Sequence, residues 1–207
     1  MKILLLLTAA GLAIAADGPK VIFTKSFPGS QPAYVSVVVE RSGAVEYKEA
    51  KEDDPEKFQL EASAVTAIFD LAEKLGHFKG PLESGLKVAR MGDKTFRWEN
   101  GSDTSQATFN YSQDENAKAL QDWFERIGES LRLLDALKQA IKHDRLGVND
   151  AVLHIDAQWG QKRLTGLAQF LPHLDRVAKD QVFINMARER ADRIAAEIRV
   201  ATKAPAE

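Results

Sequence analysis

Residues 112–145 read SQDENAKALQDWFERIGESLRLLDALKQAIKHDR, and the fold is read outward from them. Leu120, Trp123, Phe124, Ile127, Leu131, Leu134 and Ile141 recur at helical spacing and form one apolar stripe. Ser112 followed by Glu115 fits a capping box, in which a hydroxyl and a carboxylate satisfy amides that the first turn leaves without partners. Asp114 and Glu115 sit at the end that favours negative charge. Lys138, Lys142, His143 and Arg145 crowd the end that favours cations. Gly147 is placed to close the helix in the left-handed conformation. The pattern therefore predicts a long helix over about 113–145, with Gly128 as a point where two helices could meet. The chain before this helix reads mostly as sheet and the chain after it as helix, which makes it the spine of the fold.

The chain has 207 residues, 44% hydrophobic and 28% charged, which is the make-up of a folded domain with a sizeable core and not of a disordered chain. The formal net charge is −2, too small to draw a polyanion, so nucleic acid is excluded as an electrostatically recruited partner. Cysteine is absent, which excludes disulfides, a thiol nucleophile and cysteine-ligated zinc.

The first residues read as a processing signal. Met1-Lys2 is a short positive start, Ile3 to Ala13 an apolar run, and Ala13-Ile14-Ala15 a small-x-small cleavage pattern, so residues 1–15 are expected to be removed before Ala16. The run is shorter than the roughly 20 apolar residues a membrane span needs, so no stable span is expected after cleavage. An uncleaved anchor or a buried N-terminal helix is the competing reading. Export without cysteine points to a bacterial periplasm or medium.

Residues 16–128 are expected to form an α+β domain. Tyr34 to Arg41 (YVSVVVER) alternates and is rich in β-branched residues, and Ser42-Gly43 turns it into a return strand at Ala44 to Tyr47. Val21 to Phe23 is a further short strand. Lys48 to Lys57 reads as a solvated loop or frayed strand end. Glu61 to Gly76 is an amphipathic helix with Val65, Ile68, Phe69, Ala72 and Leu75 on one face. Lys87 to Arg90 and Thr95 to Glu99 suggest a second hairpin around Gly92-Asp93, and Ala107, Phe109 and Tyr111 alternate in another strand. The order is β-β-β-α-β-β-β-α, an antiparallel sheet of two hairpins with packed helices.

Pro32-Ala33-Tyr34-Val35-Ser36-Val37, the turn Gly43 to Tyr47 and a helix ending in a Leu75…Phe78 tail resemble a small exported bacterial domain family of unknown function, over about residues 20–110. The resemblance implies export and an α+β fold, and it carries over no catalytic residue. Members of that family often carry cysteines just before the Pro-x-Tyr segment, and none stands here.

Residues 129–207 are expected to be a helical C-terminal region. Val148, Val152, Ile155 and Trp159 share a face of a short helix stopped by Gly160. A second helix over Leu164 to Leu171 should be broken or restarted by Pro172. Asp180 should cap a last helix to about Thr202, with Val182, Phe183, Met186, Ala187, Ala191, Ile194 and Ile198 buried. Arg188 with Asp192, Glu189 with Arg193, and Arg193 with Glu197 are spaced as surface ion pairs. No motif recurs at a fixed period, which favours a helical bundle over a solenoid.

No stretch announces an activity. There is no Gly-x-Ser-x-Gly elbow, no phosphate loop and no dinucleotide fingerprint, and Ser30 lies in a proline-flanked turn. His77, His143, His154 and His173 form no His-x-x-x-His pair, and His154 and Asp156 point to different helix faces. The acidic run Glu46, Glu49, Glu52, Asp53, Asp54 and Glu56 is interrupted by lysines and lacks a calcium-loop pattern. Trp123 and Trp159 fall on helical stripes and read as core, while Trp98 is core or a stacking platform. No catalytic, cofactor-binding or metal-binding residue is assigned, and no cofactor. The expected function is a periplasmic or secreted, non-enzymatic protein-interaction module, with a protein partner in the envelope or outside the cell. The alternatives are a hydrolase with a carboxylate/histidine site between the halves, drawing on His143, His154 or Asp156, and a small-ligand or lipid carrier with a cavity under the spine helix.

Overall fold

The computed structural model of the chain describes residues 18–203; the segment read as a signal peptide, with its cleavage point before Ala16, lies outside them. Strands β1 (Lys20–Ser26), β2 (Tyr34–Glu40), β3 (Ala44–Lys48), β4 (Glu56–Gln59), β5 (Asp93–Asn100) and β6 (Asp103–Phe109) make one antiparallel sheet in the order β4-β3-β2-β1-β5-β6. Helix α1 (Ala62–Lys74) follows β4. After β6 come α2 (Glu115–His143), α3 (Gly147–Gly160), α4 (Leu171–Lys179) and α5 (Asn185–Lys203).

Alternation decides which sheet face is covered. Val21 and Phe23, Val37 and Val39, Val45 and Tyr47, Phe96 and Trp98 are buried under the helices, while their neighbours Thr24, Ser36, Glu46 and Arg97 face outward. Phe124 of α2 lands on this inner face, stacked on Phe23 at 5.0 Å and tilted against Phe96 at 6.0 Å. The other flank of α2 takes α3, and α3 in turn packs on α5, which pairs with α4. Buried apolar residues from Val21 to Ile198 form a single cluster, so both halves share one core.

The α+β class, the antiparallel sheet and the helical C-terminal region agree with the sequence reading; the order of elements does not in several places. Lys87 to Arg90 is not a strand. Both edges of β5 are already filled, by β1 and β6, and the hairpin turns at Gly101-Ser102 instead of Gly92-Asp93. The fourth strand before α1 is Glu56–Gln59, inside and just beyond the segment read as a solvated loop or frayed strand end, and only its Phe58 is buried. The order is thus β-β-β-β-α-β-β-α and then three more helices.

The spine runs as one helix through Gly128 without a break, so the boundary expected at 128–129 falls inside α2. Gly128 is there for contact: a Cβ would sit 3.1 Å from the Tyr47 ring. Asp114 caps α2, accepting from Asn116 and Ala117, in place of the Ser112/Glu115 box. Gly147 opens α3 and does not close α2. Its amide donates to the Asp144 carboxylate at 3.0 Å, where a Cβ would collide.

Pro172 starts α4 in its first turn, where a missing amide costs nothing. The last helix begins at Asn185, five residues after Asp180, whose carboxylate instead closes a turn onto Val182. Val182 therefore lies before the helix, Met186 falls outside its buried stripe of Ala187, Ala191, Ile194 and Ile198, and both are exposed. Of the expected ion pairs on α5, Arg193–Glu197 forms at 3.2 Å. Arg193 also grips Asp156 of α3 through two bonds, and Arg188 turns to Gln181 and the Ala178 carbonyl.

The two halves are also clasped directly. The Glu61 carboxylate accepts the amides of Gly166 and Leu167, and Ser130 accepts the amide of Thr165 in a buried contact at 2.9 Å. Gly166 has φ +63° and lies so close to Phe58 that a Cβ would run into its ring. Gly166→Ala is expected to cost about 3 kcal/mol from overpacking and backbone strain together. Gly76→Ala, at φ +59° with open space around it, should cost about 1 kcal/mol from the backbone alone. Urea denaturation of the two variants measures the difference.

Candidate functional site

Two lysines end the inner face of the sheet. Lys25 continues the alternation of Val21 and Phe23, Lys94 that of Phe96 and Trp98, and the β1–β5 register sets them opposite each other. Lys94 is only 6% exposed. Its Nζ donates to the Asn110 carbonyl at 2.6 Å and lies 5.9 Å from the centre of the Phe109 ring. Burial, and then the charge of Lys25, hold the Lys94 ammonium below the usual lysine range; Glu125, Glu83 and Asp93 pull weakly the other way.

The chain from Lys79 to Gly92 has no helix or strand, and Asn110 holds it down. All four polar groups of Asn110 are used. Its amide donates to Glu83 at 2.6 Å and its carbonyl takes Lys94. Its side-chain oxygen accepts the Met91 amide at 2.7 Å, and its side-chain nitrogen donates to the Ala89 carbonyl at 3.1 Å. The Asn110 amide, with help from Ser84, keeps the Glu83 carboxyl below the usual carboxylate range. Gly92, at φ +92°, closes the segment against the β1–β2 turn, where a Cβ would press on Phe27 and the Ser26 carbonyl.

Between this segment and α2 lies an open cleft of about 510 Å³. Lys25 and Lys94 form its floor, Asp122 and Glu125 its helical wall, and Val88, Met91 and Tyr111 its rim. Leu86, Val88, Met91 and Tyr111 are between 39% and 57% exposed. Asp122 is neutralised by Arg126 at 2.6 Å and Arg163 at 2.8 Å. Lys118, at the cleft's edge, is tied to Glu115 at 2.8 Å, which favours its charged form. A second cleft of about 350 Å³ continues past Lys25 and Glu125 toward Tyr47 and Arg132. There the Tyr47 hydroxyl donates to Glu49 at 2.6 Å, and burial together with that carboxylate pushes the phenol well above its ordinary range.

The residues weighed from sequence lie elsewhere. Ser30 donates to the Phe27 and Pro32 carbonyls, which is turn chemistry. His77 stacks on Trp98 at 4.2 Å. His143 is exposed at the end of α2, and His154 is exposed beside Asp150 at 3.6 Å. Asp156 faces Arg190 and Arg193 and no histidine. His173 is half-buried, and desolvation with Lys138 and Arg176 lowers its affinity for a proton. Among the described residues no three His, Cys, Asp or Glu side chains gather as a metal site. The acidic run surrounds the β3–β4 turn, where Glu49 meets Tyr47 and Asp53 takes the Ala50 amide. Trp98 is core; Trp123 and Trp159 are only half-buried, under Arg126 at 5.0 Å and bonded to Glu197.

Lys25, Lys94 and Asn110 went unread in the sequence. The signal was present: in both β1 and β5 a lysine occupies the next inward position of an apolar alternation, where a charge is out of place. A scan against protein-family models finds no match, and a search of curated proteins finds no relative. Asn110→Ala is expected to cost about 1 kcal/mol, the net worth of a hydrogen bond in a half-exposed place. It should also speed amide exchange at Met91 without changing exchange in β1, as read by hydrogen-exchange mass spectrometry.

Proposed function

We propose that the chain is an exported bacterial protein, periplasmic or secreted, and that it acts as a non-enzymatic interaction module whose contact surface is the cleft rim. One observation carries this reading: Val88 and Met91, on a segment that Asn110 pins in place, and Tyr111, next to Asn110, are exposed around one cleft, with Leu86 exposed farther along the same segment. A monomer gains nothing by fixing apolar side chains in water, and a clustered apolar rim around a polar floor is how interfaces are built. A protein partner with aliphatic or aromatic side chains fits such a rim. Export rests on the Met1–Ala15 pattern. Among the described residues no helix is long and apolar enough to cross a membrane.

The alternatives draw less support. A hydrolase between the halves would need His143, His154 or Asp156 in one cleft, and each faces a different surrounding. A carrier with an enclosed cavity under α2 finds Phe23, Phe96 and Phe124 packed ring on ring there, and the clefts beside α2 are open.

Two experiments test the reading. Expressed in full in a Gram-negative host, the chain should be recovered outside the cytoplasm with Ala16 as its first residue; an unprocessed cytoplasmic chain overturns export. The mature protein, crosslinked in extract of its native envelope and medium, should capture one partner, and Met91→Asp should lose it. An exposed substitution of this kind changes stability by less than about 0.5 kcal/mol, so unchanged melting separates lost contact from lost fold. Equal capture by Met91→Asp moves the interface away from the cleft.

A further inference from the structure

We propose that Lys94 is a carbonyl-capturing amine and that the cleft binds a small oxo acid, with its carbonyl on Lys94 and its carboxylate on Lys25. This does not rest on the interaction reading, since it uses the floor of the cleft and not its apolar rim.

An ammonium has three N–H donors, and the acceptor that the described residues place on Lys94 is the Asn110 carbonyl. The side chain is 94% withdrawn from water and stands opposite a second lysine in the sheet register. Burial in an apolar setting and a neighbouring cation are the two circumstances that turn a lysine into a nucleophile. Both lower the Lys94 proton affinity here, against the opposing carboxylates of Glu125, Glu83 and Asp93. The Asn110 carbonyl can only accept, so a neutral Lys94 gives it one N–H and keeps a lone pair of its own. Lys118, on the same cleft, is held to Glu115 and stays an ammonium. The cleft thus contains its own unreactive reference.

The step balances without an oxidant or reductant. The Lys94 nitrogen forms a bond to the carbonyl carbon, and the carbonyl π electrons move to oxygen, which takes a proton. The carbinolamine then expels that oxygen as water as C=N forms, so both protons of the neutral amine leave with it. Asp122 is occupied by Arg126 and Arg163; Glu125, whose Oε1 accepts the Gln121 side-chain amide at 2.8 Å, keeps its second oxygen on the helical wall to pass those protons. Lys25, opposite Lys94 on the floor of the cleft, offers the cation for the ligand's carboxylate. A volume of about 510 Å³ admits a small organic acid.

The test treats the full mature chain with pyruvate and cyanoborohydride at neutral pH, and reads adducts by intact mass and peptide mapping. One adduct is expected, on Lys94, forming severalfold faster than any on Lys118, and Lys94→Arg should abolish it. The Lys94-to-Lys118 ratio is measured in the wild type and does not depend on a variant that folds. Labelling of Lys94 no faster than Lys118 overturns the proposal. Labelling of Lys94 by acetaldehyde but not by pyruvate overturns the oxo-acid assignment.

Discussion

Phe124 meeting Phe23 and Phe96 is the contact on which the rest of the structure depends. It seats a 29-residue helix on the inner face of the sheet, and everything after β6 is placed by that helix. A sheet with one solvated face cannot bury its other face alone; it needs a layer, and α1 and α2 supply it. Because α2 is one unbroken helix, the rows of side chains that cover the sheet and those that receive α3 share one rigid axis. Gly128 lets the helix approach Tyr47 closely enough for this. Glu61 and Ser130 then stitch the connection after α3 back to the sheet half.

The cleft is a consequence of the same geometry. The inner sheet face extends past the footprint of the aromatic contact, and at its end Lys25 and Lys94 stand one step of alternation beyond the Phe23–Phe96 pair. A charge on an otherwise apolar face is costly unless something answers it. Asn110 answers part of that cost for Lys94, and with its remaining groups it lays the 79–92 segment over the opening. The buried amine and the exposed apolar rim are therefore two results of one residue's hydrogen bonding. Elsewhere charge is paired more simply: Asp156 with Arg193 and Asp175 with Arg199 lock α5 to α3 and α4.

Much of the fold was legible in the sequence because it follows from period. The stripe of α2, the alternation of β1 to β3 and the face of α1 each repeat often enough to name their element. What was missed depends on partners far along the chain. β4 has a single buried residue, Phe58, and is a strand only because β3 offers an edge. Lys87 to Arg90 has local strand character, but both edges of β5, its expected partner, are taken by β1 and β6. Gly128 was read as local punctuation, yet the ring of Tyr47, far along the chain, decides it, whereas Gly147 answers to Asp144 within the same turn. Of the candidate site, the histidines drew attention through their chemistry, and the structure spreads them. The lysines carried no motif. Only the register of β1 with β5 brings them together, and register lies between strands, where one-dimensional patterns do not reach.

The most direct measurement is residue-resolved native-state hydrogen exchange on the mature chain across a series of low denaturant concentrations. If α2 unites the two halves into one core, the slowest amides of β1, β5, the middle of α2 and α5 converge on a single opening free energy. If α3 to α5 instead open at a lower free energy while the sheet and the first half of α2 stay protected, the halves are separate units and the spine account is wrong.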